Sequence, residues 1–260
     1  MIVVALELLV GDAHGFSHGW ARALDMQFID FGYQLMSAAQ ASFVAAHYPI
    51  VSIEKCTNQP FTEKGIWDTA AQLKSINPNT KVLFYISMTN DRLDCYQSFK
   101  EFLQRPEWWL RNASGGPINQ SSIVPYLDFR IEAARKWWTG IPFNQSNTSF
   151  FALDGALLDH TANPCPAQLL EPNCSAWKQG QMAAALRLRE AFHAPPPGQS
   201  RGEVLCNGIT MYTNPGFPAD NGMSWVNVSD GLMAEHVATF EGLSNGRVVV
   251  NTLVKLFNRV

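Results

Sequence analysis

Seven short apolar runs, separated by segments of helical period, constrain this chain more than anything else in it. They are MQFIDFGYQ (26–34), YPIVSIEKC (48–56), KVLFYISMT (81–89), IVPYLDF (123–129), FFALDGALLD (150–159), EVLCNGI (203–209) and DGLMAEHV (230–237). Between them lie AAQASFVAAH (38–47), GIWDTAAQLKSI (65–76), CYQSFKEFLQ (95–104), RIEAARKWWTG (130–140) and AWKQGQMAAALRLREAFH (176–193), whose apolar residues recur every three to four positions. Near-continuous apolar strands alternating with helices imply a parallel sheet buried on both faces. Seven such units in one domain favour a (β/α)8 TIM-type barrel over an open doubly wound sheet. No G-x-G-x-x-G or Walker glycine loop follows the first run, so the main sequence reason to expect a nucleotide-binding sheet is missing.

Two ends of this reading stay open. The stretch MIVVALELLV (1–10) contains Glu7 and is far shorter than the ~20 residues of a membrane span. Residues 1–25 therefore read as an N-terminal extension or the remnant of a signal peptide that lacks a basic n-region. The barrel domain is expected over 26–260. Beyond Glu235, reading RVVVNTLVKLFNRV (247–260) as the helix after strand seven leaves the barrel incomplete at the C-terminus, with the eighth strand missing. The alternative makes β-branched RVVVNTLV (247–254) the closing strand.

Charge removes one class of partner. With a formal net charge of -3 and no Lys/Arg cluster, the chain offers nothing that tracks phosphates, and nucleic acid is excluded as a partner. Six N-x-S/T sequons, at Asn112, Asn119, Asn144, Asn147, Asn173 and Asn227, point to a secreted or extracellular glycoprotein made in the secretory pathway. Cys165 and Cys174 lie nine apart in a Pro-rich loop and are expected to form a loop-closing disulfide; Cys56 and Cys95 are candidates for a second. Cys206 reads as a buried free thiol, and no C-x-x-C spacing suggests a structural metal.

In a parallel barrel, catalytic groups come from the C-terminal ends of strands and the loops beyond them. Asp159 closes the run FFALDGALLD, and Glu235 closes GLMAE. Two carboxylates facing each other across a barrel mouth are what hydrolysis of an O-glycosidic bond needs: one protonates the leaving oxygen, the other acts as nucleophile or base. Glu54, Tyr85, Asp128, Arg130, His160, Asn207 and His236 stand at or near the other strand exits and are expected to bind the substrate. Asp154 sits inside its run, before Gly155, and reads as structural. His160 and His236 each follow a candidate carboxylate, which leaves a metal-assisted or lyase chemistry open. Lone histidines are more often satisfied hydrogen-bonders, so neither a metal nor a cofactor is expected. The paired tryptophans Trp108-Trp109 and Trp137-Trp138 suit either helix-to-sheet packing or sugar stacking at the rim.

The succession VSIEK, SINPNTKVLFYIS, RPEWWLRNASGGPI, VPYLDFRIEAARKWW, FFALDGALLDH, CNGITMY and GLMAEHV, spanning roughly residues 26–240, resembles TIM-barrel glycoside hydrolases known only as hypothetical glycosyl hydrolase families. It is more distantly similar to the endo-α-1,4-polygalactosaminidases, whose barrels carry a comparable D-G-hydrophobic-hydrophobic-L-D strand. The resemblance implies a secreted, carbohydrate-active barrel with acidic catalytic residues at strand ends, which maps onto Asp159 first and Glu235 second. The expectation is a glycosidase acting on a poly- or oligosaccharide; the alternative is a catalytically inactive carbohydrate-binding barrel or a truncated relic.

Overall fold

The computed structural model describes residues 3–6, 24–29, 36–55, 63–89, 95–120, 124–143, 152–161, 164–195, 201–207 and 223–234. Within them the chain is α/β. Strands β1 (Val3–Leu6), β2 (Leu24–Ile29), β3 (Ile50–Ile53), β4 (Lys81–Ser87), β5 (Gly155–Asp159), β6 (Glu203–Asn207) and β7 (Gly231–Ala234) neighbour one another in chain order. From β2 to β7 each strand is parallel to the next. β1 runs antiparallel to both β2 and β7, and through it the ladder returns on itself.

Helices α1 (Ala38–His47), α2 (Lys64–Ile76), α3 (Gln97–Leu103), α4 (Glu132–Gly140) and α5 (Asn173–His193) coincide with the five segments of helical period. Their starts and faces follow from local chemistry. Ser37 and Gln40 form a reciprocal capping box at α1, and Pro49 lies just beyond the helix end. On α2 the buried residues Ile66, Trp67, Ala70 and Leu73 recur at helical spacing, and Trp67 lies against Phe84 of β4 at 6.3 Å between ring centroids. Val51, Ile53, Val82, Phe84 and Ile86 join these helix residues in one core. Ile50, Leu83, Tyr85, Leu157 and Leu205 are equally buried but stand outside that cluster, so the alternate positions face the inside of the ring.

Two sequence expectations need correction. The run at 123–129 is not a barrel strand: β4 pairs directly with β5, Tyr85 opposite Leu157 and Ser87 opposite Asp159. Pro125 has no N–H to give a central ladder. The backbone around it bonds instead to the preceding excursion, Tyr126 N–H to Ile118 O at 2.9 Å and Asp128 N–H to Trp108 O at 2.8 Å. Asp128 and Arg130 therefore do not stand at a strand exit. The eight parallel strands of a (β/α)8 barrel are also not found among the described residues, where six parallel strands and one antiparallel strand make the sheet. The suggested closing strand at 247–254 lies outside them.

The end of the ring where parallel strands begin is built by a device used twice. Asp154 precedes Gly155 of β5 and accepts Val82 N–H of β4 at 2.8 Å; Asp230 precedes Gly231 of β7 and accepts Val204 N–H of β6 at 2.9 Å. Each carboxylate also meets cations, Lys74 at 2.6 Å and Lys81 at 3.6 Å for Asp154, and Arg189 at 2.8 Å and Arg201 at 3.5 Å for Asp230, whose Oδ2 also lies 2.9 Å from His193 Nε2. The structural reading of Asp154 rests on these bonds, which tie each strand start to the strand before it.

Buried Glu203 lies beside this network, and burial followed by the Asp230 charge pushes its pKa up from 4.5 to about 7. The folded state then holds a proton that the unfolded chain gives up above pH 4.5. Stability contributed by Glu203 is present below about 4.5 and is lost as pH rises through about 7. Urea unfolding between these limits should show that decline, and Glu203→Gln should flatten it.

Candidate active site

Parallel pairing brings the C-terminal ends of β3 to β6 to one edge of the ring, and the polar residues there converge on Asp159. This residue ends β5, and its two oxygens accept three hydrogen bonds. The Tyr85 hydroxyl from β4 donates to Oδ2 at 2.5 Å; Asn207 Nδ2 from the end of β6 donates to Oδ1 at 2.7 Å, as does the His160 backbone N–H at 2.8 Å. Both oxygens of the Asp159 carboxyl are thus engaged by donors. Its plane is fixed by residues from both flanking strands.

The scaffold beneath is equally tied. The carbonyls at the exit of β4 each receive a side-chain donor: Tyr96 Oη on Tyr85 O at 2.6 Å, Trp138 Nε1 on Ser87 O at 3.1 Å, and Gln181 Nε2 on Met88 O at 2.8 Å. Met88 N–H in turn donates to Asp159 O at 2.9 Å, and Thr161 Oγ1 donates to Asn207 O at 2.6 Å. Helices α4 and α5 thus hold the exit of β4, which Met88 N–H couples to Asp159.

His160 follows with φ 59°, a left-handed conformation that a residue with a Cβ adopts only when its surroundings impose it. Its Nδ1 lies 2.9 Å from Ser87 Oγ, 3.4 Å from Thr89 Oγ1 and 3.6 Å from Asp159 Oδ2. Glu54, the residue after β3, pairs with Lys55, whose Nζ stands 3.5 Å from the Tyr85 hydroxyl and 4.5 Å over its ring. Glu54, Tyr85, Asp159, His160 and Asn207 therefore form one neighbourhood.

Asp128 and Arg130 do not join it. Arg130 holds both oxygens of buried Asp128, at 2.9 and 2.7 Å, and reaches Asn173 of α5 at 2.6 Å. Glu235 and His236 follow β7 in sequence and lie outside the described residues. Trp138 is core, whereas Trp137 packs on Trp108 at 5.4 Å and on Phe102 at 5.8 Å between ring centroids. Those three rings lie on helical segments and pack on one another rather than on the sheet.

One group of metal-ligand type occurs among the described residues: His193, Glu203 and Asp230, at the opposite end of the ring. Its Asp230 is already engaged by Arg189 and Arg201, which makes it an ion-pair network unsuited to a cation. Cys165 and Cys174 are joined, Cys95 is disulfide-bonded, and Cys206 is a buried free thiol; Cys56 lies outside the described residues. No described helix is long and apolar enough to cross a membrane.

No protein-family model and no curated protein matches this chain. Solved structures do. The Glc1Man2-bound glucosidase II alpha subunit aligns with a TM-score of 0.46 at 14% identity, over 71% of this chain and 23% of that one. The noncanonic maltogenic alpha-amylase AmyB of Thermotoga neapolitana gives 0.46 at 14%, over 74% and 47%. The galactosidase domain of alpha-galactosidase-sucrose kinase gives 0.47 at 15%, over 72% and 26%. This chain thus spans less than half the length of each. At these scores the likeness carries no argument about activity, and none of the three is described as a polygalactosaminidase.

Sequence reasoning missed Ser87, Thr89 and Thr161, which hold His160 and Asn207. The period of two along β4 carried the signal, since Tyr85 and Ser87 share the face that looks into the ring. Removing the Tyr85 hydroxyl tests how much this shell matters. A hydrogen bond contributes about 0.5–1.5 kcal/mol net, so Tyr85→Phe, which removes one donor from Asp159, should lower stability by about that much, as chemical denaturation would read.

Proposed function

We propose that the chain is a glycoside hydrolase that cleaves O-glycosidic bonds of a poly- or oligosaccharide at the C-terminal edge of its parallel strands. The single observation that carries this reading is the Asp159 carboxyl at a strand exit, oriented by hydrogen bonds from Tyr85 and Asn207 on the two flanking strands. Such a group is prepared to attack an anomeric carbon or to take a proton from water. Glu235, the residue after β7, is assigned the acid that protonates the leaving oxygen. Glu54, Tyr85, His160, Asn207 and His236 bind sugar hydroxyls around the pair, and Asp128 with Arg130 supports the frame. The chemistry needs neither metal nor cofactor. In this reading the ring is a TIM-type catalytic barrel, and the protein is secreted, in keeping with its disulfides and sequons.

The rival reading, an inactive carbohydrate-binding barrel, draws on one observation: β4 passes directly to β5 with no strand at 123–129 between them. A screen of α- and β-linked polysaccharides, amino-sugar polymers included, separates the two. The hydrolase releases new reducing ends from at least one polymer; a binding barrel retains a polymer on an affinity gel without shortening it.

A further inference from the structure

Three of the six sequons are described in full, and their local conformations differ in kind. Asn173-Cys174-Ser175 opens α5, and Asn227-Val228-Ser229 begins within a 3-10 helical segment, Met223–Val228. In helical backbone, residues two apart point to different sides, so the hydroxyl cannot reach the amide it follows. Both sequons are also engaged elsewhere. Asn173 Oδ1 accepts from Arg130 at 2.6 Å and Cys174 is bonded to Cys165, while buried Ser229 donates its hydroxyl to Trp225 O at 2.8 Å.

Asn112-Ala113-Ser114 is a turn. Asn112 Oδ1 accepts the Ser114 hydroxyl at 2.8 Å, the Ser114 N–H at 3.1 Å and the Gly116 N–H at 3.0 Å. Gly115 supplies the positive φ of 84° that brings the chain back to the bridge between Arg111 and Pro117. Every bond of the turn is between residues at most four apart, so its shape is set by local sequence. The hydroxyl on the carbonyl oxygen fixes the amide plane, and Nδ2 makes no hydrogen bond among the described residues. Ala113, Ser114 and Gly115 are exposed.

From this contrast we propose that Asn112 is an N-glycan acceptor and that Asn173 and Asn227 stay bare. The inference rests on the secretory-compartment reading and is independent of the glycosidase assignment. The co-reactant is a lipid pyrophosphate-linked oligosaccharide. The bond from Asn112 Nδ2 to the sugar C1 forms as the C1–O bond to pyrophosphate breaks; one Nδ2 proton passes to the transferase's base, and the lipid pyrophosphate departs.

The test is peptide mapping of the protein secreted by its own cells, after enzymatic deglycosylation in 18O water, which converts an occupied Asn to labelled Asp. Label at Asn112 and none at Asn173 or Asn227 is expected; Ser114→Ala should abolish it and Ser114→Thr should retain it. An unlabelled Asn112, label at either helical sequon, or label that survives Ser114→Ala overturns the proposal. Because the polymer-cleavage screen is a separate measurement, failure here leaves the hydrolase reading standing.

Discussion

On the proposed glycosidase reading, Asp159→Asn is expected to leave a folded protein whose release of reducing ends from a cleaved polymer falls by ~10³-fold or more, the scale seen when a catalytic group is removed from a reacting site. The fold should survive because the substituted amide can still be satisfied. Its oxygen keeps the Asn207 and His160 N–H donors, and its new NH2 turns toward the Tyr85 hydroxyl, which can accept as well as donate. What is lost is the negative charge and the lone pairs that attack or take a proton. Circular dichroism and a melting curve alongside product release would separate this outcome from simple unfolding. A turnover within a few-fold of the parent would remove Asp159 from the mechanism.

The largest expected effect on stability lies at the other end of the same strand. Gly155 runs so close to β6 that a Cβ on it would stand 1.7 Å from the Glu203 carbonyl oxygen and 2.7 Å from its carbon. Both are backbone atoms of a paired strand and cannot swing aside. Gly155→Ala must therefore push β5 and β6 apart where Glu203 N–H bonds Asp154 O at 2.7 Å. The expected cost is on the order of 4 kcal/mol, beyond ordinary overpacking, because no rotamer relieves it. Chemical denaturation should show a large loss or no cooperative transition at all, whereas the same change at exposed Gly115, where a Cβ would meet nothing within 4 Å, bears only the strain of its positive φ.

Much of this was legible in the sequence, for physical reasons that differ by element. Helix α1 was readable because its apolar residues recur at helical spacing; its capping box and the proline beyond it fix the ends locally. Strands β3 to β6 were readable because burial on both faces demands continuous apolar runs. Asp159 stood out because a carboxylate closing such a run has to face either solvent or a site. The run at 123–129 has the same composition, yet its backbone partners are nearby residues such as Trp108 and Ile118; only Pro125 hinted at it. The strand Val3–Leu6 could not be separated from leader-like sequence, since closing a ring by antiparallel pairing leaves no periodic trace. The pairing of Asp128 with Arg130 was hidden with it, because the run that leads into Asp128 reads as a strand but is not one.

The central claim is that the Asp159 carboxyl is the nucleophile or base of the reaction, and small-anion rescue of Asp159→Ala addresses it most directly. Truncation to Ala leaves a space beside Tyr85 and Asn207 in which azide can take the place of the lost oxygens. The account predicts almost no turnover without azide, turnover that rises with azide concentration, and a glycosyl azide as the product. Parent-like turnover in the absence of azide would contradict it.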